Sequence, residues 1–222
     1  MHYIAMTPDF LITAFVTLFV VIDPIGTTPI FVALTGGQPT ARRRAIARRA
    51  CAIGLIILAA FGLFGEALLG FVGISMPAFR IAGGLLLFLT ALEMLFGRRT
   101  QRRHAQSGAD GEDDTPPPDP EDDPSVFPLA IPLLAGPGSI TSLILLTDQG
   151  GGDAIAFAGL LAVVAVIYAI CFALFLAAGP IERGLGPTGI LVVTRLLGML
   201  LAALSVQFVI DGIVNAGLTP VP

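Results

Sequence analysis

The chain has 222 residues, of which 55% are hydrophobic and only 13% charged, and its mean hydropathy is +0.89. These values lie far outside the range of soluble domains and make the chain an integral membrane protein. The formal net charge of −4 says nothing about an acidic or basic partner, because eight acidic residues crowd into Asp110–Pro124 and the remainder is basic.

A hydrocarbon core about 30 Å thick needs about 20 apolar residues per helix, and the sequence offers runs at 9–34, 46–70, 77–97, 126–147, 154–178 and 188–214. The alternation of a membrane barrel is absent, since Ile53–Ala60 and Leu160–Leu176 are apolar on every face. The fold class is therefore all-α and polytopic, with six transmembrane helices.

The first run has no basic leader and is too long for a cleaved signal, so it is expected to remain as a span. Its centre reads VIDPIGTTPIF, Val21 to Phe31. Pro24 and Pro29 each lack an amide hydrogen and Gly26 leaves helical geometry readily, so a break is expected there. Thr28 before Pro29 has the pattern of an N-cap followed by proline at the first helical position. Asp23 lies deep in the span, where an unpaired charge is costly. It either caps the broken helix or pairs with an arginine, or it meets a cation, a proton or an ammonium group.

All twelve basic residues are arginines. Arg42, Arg43, Arg44, Arg48 and Arg49 follow the first span, Arg98, Arg99, Arg102 and Arg103 the third, and Arg183 the fifth. By the positive-inside rule both termini lie outside and these loops face the cytoplasm, with anionic lipid as the partner of the arginine run. Cys51 and Cys171 sit inside spans and read as small packing residues. Gly62, Gly65, Gly70 and Gly73 permit close helix contacts within the chain or between copies, so a homo-oligomer is compatible with the sequence.

Arg80 opens the third span. The polar stretch that follows, rich in proline and acid, is a linker, dividing the chain into 1–97, 98–125 and 126–222. The fourth span carries IPLLAGPGSIT, Ile131 to Thr141, whose Pro132, Gly136, Pro137 and Gly138 predict a second break, with Ser139 as cap of the helix that resumes. Arg195 opens the sixth span. Glu66, Glu93 and Asp211 lie near span ends, where interfacial water solvates them, and Gln207 and Asn215 have side chains that bond between helices.

The halves resemble each other. Gly26 aligns with Gly138, Thr27 with Ser139 and Thr35 with Thr147, while RIAGGLL (Arg80–Leu86) aligns with RLLGMLL (Arg195–Leu201). Three spans per half make the repeats inverted, an arrangement that secondary transporters use around a midplane site. Two half-helices would then begin at mid-membrane and turn positive dipole ends toward a shared polar cavity. Each arginine would either reach a headgroup layer or support the break on its own side. No histidine lies within a span and no phosphate loop exists, so enzymatic chemistry and ATP coupling are not expected.

DPIGTTPIF, PLLAGPGSIT, FRIAGGLLLFLTALEML and GMLLAALSVQFVIDGI, in that order, resemble the MarC family of bacterial and archaeal inner-membrane proteins. The resemblance covers all six spans; the acidic insert is unusual for it. It implies a fold of the LysE-like transporter superfamily, with two inverted three-helix repeats, and a small neutral amino acid such as alanine or glycine as solute. The pathway positions it implies are Asp23, Pro24, Gly26, Thr27, Thr28, Gly136, Pro137, Gly138 and Ser139, with Arg80 and Arg195 as partners. The leading expectation is a secondary transporter without a cofactor, coupled to H+ or Na+. A channel on the same fold, or a membrane scaffold that recruits a partner through its loops, is the alternative; nucleic acid is not an expected partner.

Overall fold

The computed structural model of the protein describes residues 7–96, 123–151 and 153–217, with backbone alone at 179–187. Among the described residues every regular element is helical, as a bilayer demands of a chain whose amides cannot turn to water. α1 (Pro8–Ile22) and α2 (Pro24–Leu34) share the first span; α3 (Thr40–Val72) and α4 (Met76–Leu95) follow. In the second half α5 (Ser125–Leu134) and α6 (Pro137–Gln149) precede α7 (Ala154–Leu176) and α8 (Ala178–Asn215). Five spans are long and apolar enough to cross a membrane, and α5 with α6 adds a sixth when the bent pair is counted as one. The expected linker, with Arg98 to Arg103, lies outside the described residues except for its last three positions.

Local chemistry sets the helix ends. Thr7, Ser75 and Asp153 cap α1, α4 and α7 by accepting the amides of Phe10, Ala78 and Ile155. α3 stops at Gly73, whose φ of 81° is available to glycine without strain. It begins at Thr40, ahead of its apolar run, so the Arg42–Arg49 stretch is helical. At the same end Arg49 binds Asp123 at 2.6 Å. Burial raises the Asp123 carboxyl, but hydrogen bonds from Ser125 and the Arg49 guanidinium outweigh it and hold the group below its usual range.

Neighbouring contacts give each helix a direction. Gly54 of α3 faces Tyr168 of α7 and Gly62 faces Phe157, so the two are antiparallel. Gly62 and Gly65 also meet Leu143 and Ile144, so α6 runs with α3. Phe31 of α2 stacks on Phe175 of α7, centroids 4.5 Å apart, so these helices end on the same side. α7 packs on α1 and α2, while α3 packs on α5 and α6, and α4 packs along α8.

The broken spans occupy the centre. In the first span 56% of the most apolar window is buried, against 22–33% in the other single-helix spans, so its irregular backbone lies in protein and away from lipid. One apolar cluster gathers α1, α2, α3, α5, α6 and α7 around Leu18, Phe31, Leu58 and Phe175. A second joins α1, α4, α6 and α8 through Val20, Val21, Leu87, Leu145 and Phe208.

The α4–α8 contact uses two buried stripes with alternating spacings of four and three residues. They are Arg80, Gly84, Leu87, Ala91 and Met94 on α4, and Thr194, Gly198, Leu201, Ser205, Phe208 and Gly212 on α8. A Cβ on Gly84 would stand 2.8 Å from the Ser205 carbonyl oxygen, a backbone atom that cannot swing aside. Gly84→Ala is therefore expected to cost about 1–3 kcal/mol, read as a fall of several degrees in thermal unfolding of the detergent-solubilised protein. Gly70→Ala, where a Cβ meets nothing within 4 Å, is expected to leave the midpoint unchanged or raise it.

Candidate functional site

Both expected breaks exist; at the first the cap is Asp23, one of the roles open to it, in place of Thr28, and at the second Ser139 is not the cap. The first is one residue wide. Asp23 adopts the left-handed conformation, φ 56° and ψ 66°, ends α1 by donating its amide to the Phe19 carbonyl, and starts α2 as its cap. Its Oδ1 accepts the Gly26 amide at 3.0 Å. Aspartate tolerates this backbone because its short carboxylate can bond locally. Gly26 follows from the same geometry, since a Cβ there would overlap the Asp23 carboxylate.

Thr28 is thus not the cap; Asp23 is, with Pro24 in the first helical position, where its missing amide costs nothing. Thr27 and Thr28 point their hydroxyls back into the turn. Thr27 donates to the Asp23 and Pro24 carbonyls at 3.0 and 3.1 Å, and Thr28 to the Pro24 carbonyl at 2.8 Å. All four residues, Asp23, Pro24, Thr27 and Thr28, are buried, and Pro29 lies inside α2.

The second break is wider and bends the chain by 53°. α5 is irregular throughout, with extended residues at Phe127 and Ile131 and cis peptide bonds before Pro128 and Pro132. α6 restarts after Gly136, whose position admits no Cβ because the Pro132 carbonyl oxygen occupies the space. Its first turn has no side-chain cap, and Pro137 stands at the start. Ser139 does not fill the cap role either. It donates its hydroxyl to the carbonyls of Leu134 and Gly136, at 3.2 and 2.9 Å, and so stitches the break closed. Ser139 is buried, Gly136 and Gly138 are partly buried, and Pro137 is exposed.

The two breaks touch. A Cβ on Gly138 would lie 3.1 Å from Val21 Cγ1, two residues before Asp23. The junction therefore joins a helix start already neutralised by its own carboxylate to another whose leading amides, at Gly138 and Ser139, have no side-chain acceptor.

The arginines act elsewhere. Arg80 is 8% exposed and binds Asp148 at 2.5 Å, a residue that sequence reasoning missed. Asp148 lies at the C-terminal end of α6, so a cation fixes the half-helix by the end where its dipole favours one. α2 has a counterpart in Arg43, which donates to the hydroxyl of the terminal Thr35 at 3.2 Å and lies 5.7 Å from the Phe31 ring centroid. Thr35 and Thr147, aligned between the halves, each return a hydroxyl to the carbonyl four residues back. Arg195 is not brought to the junction: it is exposed on α8. The buried stripes align Gly84 with Gly198 and Leu87 with Leu201, one residue off the Arg80–Arg195 match, and put buried Thr194 in the place of Arg80.

Residues 8–216 match the model of the MarC family, described as MarC family integral membrane protein. A UPF0056 membrane protein of Methanocaldococcus jannaschii is 35% identical over 95% of this chain and 99% of its own length. The UPF0056 membrane protein YvbG of Bacillus subtilis is 37% identical over 95% of this chain and 94% of its own. The UPF0056 membrane protein YhcE of Escherichia coli is 34% identical over 90% and 89%. No solved structure matches.

The cap geometry separates charge from fold. Asp23→Asn keeps a short local acceptor and a residue that tolerates the left-handed backbone, whereas Asp23→Ala loses both. The alanine variant is expected to lose about 1–2 kcal/mol of stability, and the asparagine variant less than half of that, both measured by thermal unfolding in detergent.

Proposed function

Since this chain belongs to the MarC family of integral membrane proteins, we propose that it is a secondary transporter of a small carboxylate-bearing solute, of which alanine and glycine are the leading examples. The observation that carries the reading is the contact between two helix breaks inside the protein, Val21 against Gly138. Backbone that leaves helical geometry at membrane depth is tolerated where it is buried in protein or lines a cavity, and half-helix starts are a recurrent way to bind an anionic group there. The amides of Gly138 and Ser139, at an uncapped start, hold the solute carboxylate. Asp23 exchanges its bond to Gly26 for the solute ammonium or for a coupling proton, with Na+ as the other coupling ion.

Packing supports an inverted repeat. α7 on α1 and α2 is mirrored by α3 on α5 and α6, and matched threonines close the two half-helices in the same way. The arginine distribution supports both termini outside the cytoplasm and an inner-membrane location. On that orientation the Arg80–Asp148 pair is the outer fastening of α6, and Arg43 with Thr35 and Phe31 the inner fastening of α2. Because Asp23, Thr27 and Ser139 are all buried, a solute reaches them only when helices move, which favours a carrier over a standing pore.

Protein reconstituted into liposomes loaded with unlabelled alanine or glycine is expected to accumulate the labelled amino acid by counterflow. A broad amino-acid panel with no protein-dependent flux under either a pH or a sodium gradient would overturn the substrate assignment.

A further inference from the structure

The seam between α4 and α6 ends in an ion pair that helix stability does not call for. Arg80 and Asp148 meet at 2.5 Å, with 9% and 28% of their side chains exposed. Asp148 stands in the last turn of α6, where the helix dipole disfavours an anion. The Arg80 Nε–H is buried and finds no acceptor among the described residues, which is a further cost. Apolar residues in place of a buried ion pair are often neutral or stabilising, so the fold alone does not account for these two charges.

Their position supplies a use. α4 and α6 are antiparallel along one continuous seam, in which Arg80 meets Asp148, Gly83 faces Thr141, and Leu87 lies against Gly138. Gly138 in turn touches Val21 beside the Asp23 break. The ion pair and the junction are therefore two turns of α4 apart, about 10 Å along the helix. A solute that parts α4 from α6 at the pair enters the seam that leads to the start of α6.

Charge decides which solute parts them. Separating the pair leaves a cation on α4 and an anion on α6, each without its partner, which is strongly destabilising. A simple carboxylate satisfies Arg80 alone and a simple amine Asp148 alone, so either strands one charge and adds a net charge to the seam. A small zwitterion satisfies both and adds none. Its carboxylate accepts from the Arg80 fork, including the idle Nε–H, and its ammonium donates to Asp148.

We propose that Arg80 and Asp148 form an exchange gate selective for small zwitterions, in which the solute carboxylate replaces Asp148 on Arg80 while the solute ammonium replaces Arg80 on Asp148. This rests on the transport reading above and adds to it the residues that admit the solute. With no solute the two side chains hold each other and keep the seam shut.

The test uses Asp148→Asn, Arg80→Gln and the exchanged pair Arg80→Asp, Asp148→Arg, each in the full chain. Radiolabelled glycine counterflow in liposomes is measured against unlabelled glycine, acetate and methylamine, and the shift of the unfolding midpoint in detergent by the same three compounds reads binding where a variant exchanges too slowly. In the wild type glycine alone is expected to compete. Asp148→Asn is expected to raise the half-saturating glycine concentration about tenfold or more and to make acetate as effective as glycine, because Arg80 then lacks only an anion. Arg80→Gln is expected to admit methylamine in the same way, and the exchanged pair to recover the preference for glycine. A purely structural pair would move the midpoint without changing the order of the three compounds. Single variants that still exclude acetate and methylamine, or that keep the wild-type half-saturation, overturn the inference and leave the transport reading standing. Loss of the folded state in all three variants also overturns it, because the pair then serves the fold. A wild type that exchanges no amino acid of the panel removes the transport reading and this inference together.

Discussion

The structure is governed by the treatment of backbone polar groups where no water reaches them. A helix that stops inside a bilayer exposes amides at one end and carbonyls at the other, and each group left unpaired in hydrocarbon costs several kcal/mol. This chain stops two helices among its packed spans, at Asp23 and at Ala135–Gly136, with Asp23 and Ala135 buried and Gly136 partly so. Aspartate and threonine side chains at the first, and serine at the second, return hydrogen bonds to the freed groups. What remains is a helix start in α6 without a side-chain cap. A chain of this composition could have crossed the membrane with unbroken helices, so the retained polar junction points to a use.

The surroundings hold each half-helix at its far end. Arg80 with Asp148, and Arg43 with Thr35 and Phe31, pin α6 and α2 by their C-terminal turns, where cations are favourable. The start of α6 instead meets the last turn of α1, where Gly138 lies against Val21. Pinned outer ends suit a junction that opens by a shift of whole half-helices, because the packed interface of α4 and α8 gives the remainder a rigid frame.

Most of the fold was legible in the sequence because length and apolarity determine spans: the six runs correspond to the observed spans, and the proline and glycine clusters mark both breaks. The caps were less legible. Thr28 before Pro29 and Asp23 before Pro24 carry the same signal, and only the left-handed turn at Asp23, with Gly26 making room for its carboxylate, decides between them. The Arg80–Asp148 pair joins residues 68 apart in the chain, and Asp148 sits beside glycines that read as a loop. Arg195 lies off the buried face for a geometric reason, which fits the headgroup reading and not support of the break. A helix turns about 100° per residue, so one position away from the stripe of Thr194, Gly198, Leu201 and Ser205 suffices to expose it. The spacing of small residues on α8 carried that information, and matching arginine to arginine concealed it.

The most direct test of the central claim, that two helix breaks meet in the interior and part during function, is a cross-link across them. A Val21→Cys, Gly138→Cys protein, with Cys51 and Cys171 replaced by alanine, puts the Cβ of residue 138 beside the γ position of residue 21, 3.1 Å away for Val21 Cγ1, where a cysteine sulfur can reach its partner. Mild oxidation should form the intramolecular bond and halt solute exchange, and reduction should restore it. Failure of the bond to form, or a cross-linked protein that exchanges solute at the full rate, would contradict the account.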